Sequence, residues 1–302
     1  MSSARSAAVG LVGLGAMGRG VAANLLAKGF DVVGFDLRPE SLDELVAKGG
    51  RRAGSLADLA RQCGIVVSFV VNAEQTDSVL FGAGALLEGW AGSAPVFIAC
   101  STMAPAYVTA LGARLKASGV ALLDAPVTGG AVGAERGRLT IMAAGSTATF
   151  ERAKPVLAAF GSRIFHLGDR CGAGAQMKVI NQLLCGVHLA AAGEAMAMAK
   201  RQGLPPDLTL EILAGGAGSS WMLQDRGPRM VSGDFSVPRS AVDIFVKDLG
   251  LVADAARADR FAAPLASTAL LAFLSLSGRG EGGLDDAAVM RYFMDAYPPA
   301  AA

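Results

Sequence analysis

The stretch Ala7-Ala8-Val9-Gly10-Leu11-Val12-Gly13-Leu14-Gly15-Ala16-Met17-Gly18 decides how the rest of the chain is read. Ala7 to Val12 is an apolar run of strand length. Gly13 to Gly18 spells G-x-G-x-x-G, and a helical pattern follows from Arg19 to Lys28. Phe30 to Asp36 then reads as a second strand, ending on an acid. Strand, glycine turn, helix, strand and acid in that order form the dinucleotide-binding fingerprint in its required context. Gly13 makes the tight turn, Gly15 lets a pyrophosphate approach the backbone, and Gly18 lets helix and strand pack closely. The helix start, with Leu14, Ala16 and Met17 around it, offers N–H groups and the positive end of its dipole to phosphates.

Asp36 at the end of the second strand is placed to accept hydrogen bonds from ribose hydroxyls. A carboxylate there repels a 2′-phosphate, so NAD is expected over NADP. Arg38, two residues on, could soften that preference.

The βα alternation continues outward. Ser55 to Cys63 reads as a helix with a Ser cap. Ile65 to Val71, Ala94 to Cys100 and Val120 to Asp124 read as strands, and Ala106 to Ser118 as a helix. Ligands of such sheets bind beyond the carboxyl ends of the strands. The loops at Val70-Val71-Asn72 and Ser101-Thr102 are therefore expected to face the cofactor. The plainer reading of Thr102 is a helix cap. Thr128-Gly129-Gly130 follows the strand that ends at Asp124. Two glycines leave their N–H groups open to a carboxylate, and Thr128 adds a hydroxyl donor. The plainer reading is a glycine-rich hairpin, with Arg138 to Ala144 as the returning strand. A helix over Thr147 to Phe160 and a strand over Arg163 to Leu167 complete a first domain, residues 1–168.

Cys171 to Arg201 reads as one long helix joining that domain to a second, residues 169–302. Lys178, Asn181, Gln182 and Cys185 fall at i, i+3, i+4 and i+7, on one face. Apolar residues fill most of the remainder. Apolar surroundings disfavour a charged ammonium, so such a lysine can give and take a proton near neutral pH. The plainer reading is a lysine that snorkels to the surface. Beyond the helix, Leu208 to Ala214, Trp221 to Leu223, Val242 to Ala258, Ala263 to Leu276 and Asp285 to Tyr297 read as further helices. Lys247-Asp248 by itself reads as a solvated ion pair.

The composition supports an ordinary globular chain. It has 302 residues, 52% hydrophobic and 18% charged, with a formal net charge of +1. That balance lacks the basic surplus of a sequence-independent nucleic-acid binder. Cys63, Cys100, Cys171 and Cys185 are scattered without C-x-x-C, as in a chain with reduced thiols. His166 and His188 read as structural, no metal constellation is evident, and no membrane span or signal peptide is expected. A cytoplasmic location follows as the expectation.

Five motifs in order carry a resemblance that covers nearly the whole chain: Gly13-Leu-Gly-Ala-Met-Gly18, Ser101-Thr102, Asp124-Ala-Pro-Val-Thr-Gly-Gly130, Gly172-Ala-Gly-Ala-Gln-Met-Lys178-Val-Ile-Asn181 and Lys247-Asp248-Leu249. The sequence resembles the β-hydroxyacid dehydrogenases, the group of 3-hydroxyisobutyrate, tartronate-semialdehyde and L-threonate dehydrogenases. The resemblance implies an α/β Rossmann-like N-terminal domain, a long interdomain helix and an all-α C-terminal domain, in a homodimer or homotetramer. It implies Lys178 as the catalytic lysine and Thr128, Gly129 and Gly130 as the substrate-carboxylate loop. It further implies Asn181 as the orienting amide, Thr102 and Lys247 as cofactor contacts, and Asp248 beside the active site. Thr128 stands where the family usually has Ser, and Gln182 where a second Asn is common. The run from Asn181 to Ala195 is most similar to the L-threonate dehydrogenases. That implies oxidation of L-threonate to its 2-oxo acid, with tartronate semialdehyde or 3-hydroxyisobutyrate as the alternative substrates. A dinucleotide-binding scaffold without chemistry has no need of Lys178, and relatives that reduce imines usually replace it.

Overall fold

The computed structural model describes residues 8–90 and 94–296. Ala7 and Tyr297, the outer ends of the first expected strand and last expected helix, lie outside the described residues. The chain divides into two compact units, Met1–Lys178 and Val179–Ala302.

In the first unit, strand and helix alternate: β1 Val9–Val12, α1 Ala16–Ala27, β2 Val32–Phe35, α2 Pro39–Ala47, β3 Arg51–Arg52, α3 Leu56–Gln62, β4 Ile65–Ser68, α4 Ala73–Phe81, α5 Leu86–Gly89, β5 Val96–Ala99, α6 Pro105–Ala117 and β6 Ala121–Asp124. The strands form a six-stranded parallel sheet in the order β3-β2-β1-β4-β5-β6. The reversal beside β1 is the switch point at which such sheets bind ligands. β1 pairs Val9 with Val32 on one side and with Ile65 on the other. Successive strand residues point to opposite layers. Leu11, Val67 and Ile98 belong to one buried cluster, while Val12, Val66 and Phe97 belong to another. Burial on both faces explains the unbroken apolar runs.

The strands are shorter than those runs. β1 ends where Gly13 turns with φ +85°, and β4 ends at Ser68 instead of Val71. Chain departs there into the loops. A Cβ on Gly18 would overlap the carbonyl oxygen of Gly13, so the glycine lets α1 start tight against the turn.

A second, three-stranded sheet follows, of β7 Val127–Thr128, β8 Leu139–Ala143 and β9 Gly161–His166, with α7 Gly130–Glu135 and α8 Thr147–Phe160 between them. β7 and β8 are antiparallel, yet α7 intervenes, so Thr128-Gly129-Gly130 is a helix entry and not the turn of a tight hairpin.

α9 spans Ala173–Arg201, and the division between the units falls within it. By length and composition α9 is the one helix among the described residues that could cross a membrane; half of its apolar window is buried inside the protein. Core helices of folded proteins share those properties. The second unit continues with α10 Pro206–Gly215, α11 Trp221–Ser232, α12 Val242–Ala258, α13 Pro264–Leu276 and α14 Val289–Ala296. α11 is much longer than its expected three residues, because the helix runs on through Gly227 and Pro228. Its core gathers Leu189, Met196, Phe245, Leu249 and Phe273, with Phe245 stacked on Phe273 at 5.0 Å. Buried ion pairs accompany it. Arg226 Nη2 lies 2.8 Å from Asp286 Oδ2, and Arg229 Nε lies 2.8 Å from Asp285 Oδ1.

Candidate active site

The carboxyl ends of β1, β2, β4 and β5 bring together the expected cofactor residues of the first unit; Lys247 lies on α12 in the second. The Gly13 N–H donates to Phe35 O, and Phe69 N–H to Val12 O, so the glycine turn lies between the exits of β2 and β4. Asp36 follows β2 directly. Its Oδ2 accepts the Leu14 N–H at 2.6 Å, and its Oδ1 accepts the Arg38 N–H at 2.9 Å. The Arg38 guanidinium also lies on this carboxylate, 3.2 Å away at Nε. Burial works to raise the Asp36 pKa; the bonds from Arg38 and Leu14 outweigh it and hold the carboxyl below its ordinary value.

α1 starts without a side-chain cap at Gly15. A Cβ on Gly15 would meet only Arg38 Nη2, at 3.6 Å. The uncapped N–H groups and the open space above Gly15 suit a pyrophosphate, and the carboxylate at the end of β2 suits a ribose. The residues present therefore fit a dinucleotide. Ser101 Oγ donates to Val70 O at 2.6 Å and ties the β4 and β5 loops to each other. Val71 is exposed and Thr102 half-buried. The helix-cap reading of Thr102 is corrected: α6 starts at Pro105, with Ala104 at the cap position.

Thr128 sits at the end of β7 and is half-buried. Gly129 and Gly130 have φ of +124° and +63°, a backbone that other residues rarely adopt. No side chain caps α7, which begins two residues after Thr128.

Lys178 is 8% exposed, which removes the snorkelling reading. Its helix is anchored a little over one turn earlier. Asp124, at the end of β6, accepts the N–H groups of Gly172 and Ala175, each at 2.9 Å. A Cβ on Gly174 would stand 2.5 Å from Met142 O and 2.8 Å from Asp124 O, so the first turn of α9 lies directly on the two strands. Burial pushes the Asp124 carboxyl up to about 6, against the pull of those N–H bonds. Sequence reasoning left Asp124 as a bare motif residue. The signal for its anchoring role is an acid ending a strand, ahead of a helix preceded by Gly172, which has no side chain to cap it.

The remaining expected residues form a second set, within the second unit. Asp248 on α12 is 2% exposed, which corrects the solvated-pair reading of Lys247-Asp248. Its Oδ1 lies 2.8 Å from Lys247 Nζ, and its Oδ2 accepts from Gln182 Nε2. Asn181 Nδ2 donates to Gln182 Oε1 at 2.9 Å and to Cys185 Sγ at 3.3 Å. His166 stacks on Phe150 at 4.4 Å and its Nε2 lies 2.8 Å from Gly145 O, a structural arrangement; His188 is exposed. Burial pushes the Cys63 thiol up to about 12 and raises that of Cys100, so neither serves as a thiolate nucleophile.

Two family models match the chain. Residues 8–168 match the NAD-binding domain of 6-phosphogluconate dehydrogenase, and residues 172–293 match the NAD-binding domain of NADP-dependent 3-hydroxyisobutyrate dehydrogenase. The chain is 47% identical to an L-threonate dehydrogenase of Cupriavidus necator, over 94% of this chain and 95% of that one. It is 43% identical to an L-threonate dehydrogenase of Escherichia coli K12, over 94% of each. A crystal structure of a 3-hydroxyisobutyrate dehydrogenase from Salmonella typhimurium superposes with a TM-score of 0.91 at 46% identity, covering 95% of this chain and all of that one.

Proposed function

The chain belongs to the β-hydroxyacid dehydrogenase family of NAD(P)-binding oxidoreductases, and from that premise we propose that it oxidises L-threonate to its 2-oxo acid with NAD. The burial of Lys178, on a helix held at its start by Asp124, is the observation that carries this reading. An amine kept from bulk water can take the carbinol proton at Nζ in oxidation and return it in reduction. The Thr128 hydroxyl and the Gly129 and Gly130 N–H groups hold the substrate carboxylate. Asn181, three residues along the helix from Lys178, holds a substrate hydroxyl.

The backbone of Gly13, Leu14, Gly15, Ala16, Met17 and Gly18 would hold the pyrophosphate of the nucleotide, with Asp36 on a ribose and Val70, Val71 and Thr102 beside it. When bound, the nicotinamide supplies a hydride acceptor for the carbinol carbon. Asp36 supports NAD over NADP, since its carboxylate repels a 2′-phosphate and already engages Arg38.

The relatives named for L-threonate favour that substrate, while the Salmonella structure at nearly equal identity favours 3-hydroxyisobutyrate as the second reading. Rates on L-threonate, glycerate and 3-hydroxyisobutyrate, each with NAD and NADP, separate the two. Lys178→Met in the same assay should lose about 10²–10⁴-fold in kcat. A variant that turns over near the wild-type rate would remove Lys178 from the chemistry.

A further inference from the structure

We propose that Gln182 and Asp248 form an amide relay that fixes which end of Asn181 faces the substrate, and so selects hydroxy acids carrying a second hydroxyl. The inference rests on the dehydrogenase reading above. It begins from hydrogen-bond polarity. A carboxylate accepts and cannot donate. Asp248, buried on α12 and paired with Lys247, therefore compels Gln182 to turn its Nε2 toward Oδ2. The other end of the same amide, Oε1, can then only accept. It takes an N–H of Asn181, whose Nδ2 also reaches Cys185 Sγ.

Each step leaves the next amide one choice. Asn181 has both amino hydrogens directed into the relay, so its carbonyl oxygen is the atom it presents elsewhere. An amide turned the other way would present donors. A carbonyl oxygen rewards a hydroxyl donor and gains nothing from a methyl. A site built to bond a hydroxyl rejects the analogue that lacks it far more strongly than an apolar pocket rejects an added group.

Gln at position 182 has the length for this task. Its amide spans from α12 to the neighbouring Asn181 on α9, holding Asp248 at one end and Asn181 at the other. An Asn there, one methylene shorter, reaches one partner or the other. Gln182 and Asp248 are thus positioning residues acting through Asn181, and they need not touch the substrate.

The test compares kcat/KM on L-threonate, which carries three hydroxyls, and on 3-hydroxyisobutyrate, which carries one hydroxyl and a methyl branch, with NAD as acceptor. Wild type should prefer L-threonate. Gln182→Met keeps the volume and removes both relay bonds. It should lower kcat/KM on L-threonate by about 10–100-fold, chiefly through KM, and change that on 3-hydroxyisobutyrate by less than about threefold. Gln182→Asn and Asp248→Asn should shift the ratio in the same direction, and either serves if Gln182→Met fails to fold. Equal losses on both acids, an unchanged ratio, or a wild-type preference for 3-hydroxyisobutyrate would overturn the relay while leaving the dehydrogenase reading intact. A wild-type protein that oxidises neither acid removes that reading, and the relay with it.

Discussion

The two units hold their polar groups out of water by different means. In Met1–Lys178 the work falls to the backbone: glycine N–H groups, strand-end carbonyls and uncapped helix starts surround the sheet's carboxyl edge, and Asp124 is the buried acid that anchors α9. In Val179–Ala302 the work falls to side chains. Arg226, Asp285, Asp286, Gln182 and Asp248 are each under 9% exposed, and each is bonded to another side chain or to a loop N–H. A backbone site tolerates most side-chain changes and fails when a Cβ intrudes. A side-chain network fails when one charge is removed, because its partner is left buried and uncompensated.

The sharpest way to break this contrast is Arg226→Met. Burial opposes the guanidinium's charge, but Asp286 and Asp225 outweigh it and hold the group charged. Both oxygens of Asp286 accept from Arg226, and Asp286 is fully buried. Removing the arginine should cost about 3–5 kcal/mol in urea unfolding, and Arg226→Met with Asp286→Leu together should recover most of it. The surface pair Arg257–Asp254, with side chains 78% and 67% exposed, should change stability by no more than about 1 kcal/mol when broken. Equal costs at the two sites would end the distinction between network and surface.

Asp124→Asn probes the buried acid that anchors α9 in the first unit. Its carboxyl is raised from 3.8 to about 6, chiefly by burial. A raised folded value means that the stability this group contributes is complete below 3.8 and is lost as pH rises through about 6. The cost is about 3 kcal/mol at neutral pH. Neighbouring Cys100 and Cys171 have raised thiol values and stay neutral across that window. Unfolding free energies at pH 4.5 and 7.5 should therefore move against wild type, relative to Asp124→Asn, as pH rises. A constant difference would mean that the carboxyl is ionised with its ordinary affinity for protons.

The same contrast explains what could be read from sequence. Glycine turns and apolar strands are local patterns, so Gly13 to Gly18, Asp36 and the sheet they imply were legible. α4 was not foreseen, although Asn72 and Gln75 announce it. The Asn72 side chain caps the helix by accepting the Gln75 N–H, and Gln75 Oε1 reaches back past the cap to accept the Val71 N–H. α11 runs past its expected end at Leu223 and on through Gly227 and Pro228, and Gly227 packs against Leu210. Long-range partners were beyond local pattern. Nothing around Lys247 signals that Asp248 meets Gln182 across 66 positions, or that Arg226 meets Asp286 across 60.

Two glycines of one turn allow the finest comparison, because the fingerprint treats them alike and the structure separates them. At Gly18 an added Cβ would overlap Gly13 O, which is backbone and cannot swing aside. Gly18→Ala must push α1 from β1, and should cost about 1–3 kcal/mol of stability. At Gly15, with φ −68°, the added Cβ would meet only Arg38 Nη2, at 3.6 Å. Gly15→Ala should leave the unfolding midpoint within a few degrees, since an alanine suits that backbone and the change is worth less than about 1 kcal/mol. The space it fills is the space assigned to the pyrophosphate. Titration with NADH, followed by its fluorescence, should then show weakened binding for Gly15→Ala in a protein that melts like wild type. Unaltered NADH affinity in Gly15→Ala would mean that the phosphates lie elsewhere, and a Gly18→Ala protein as stable as wild type would mean that α1 has slack against β1.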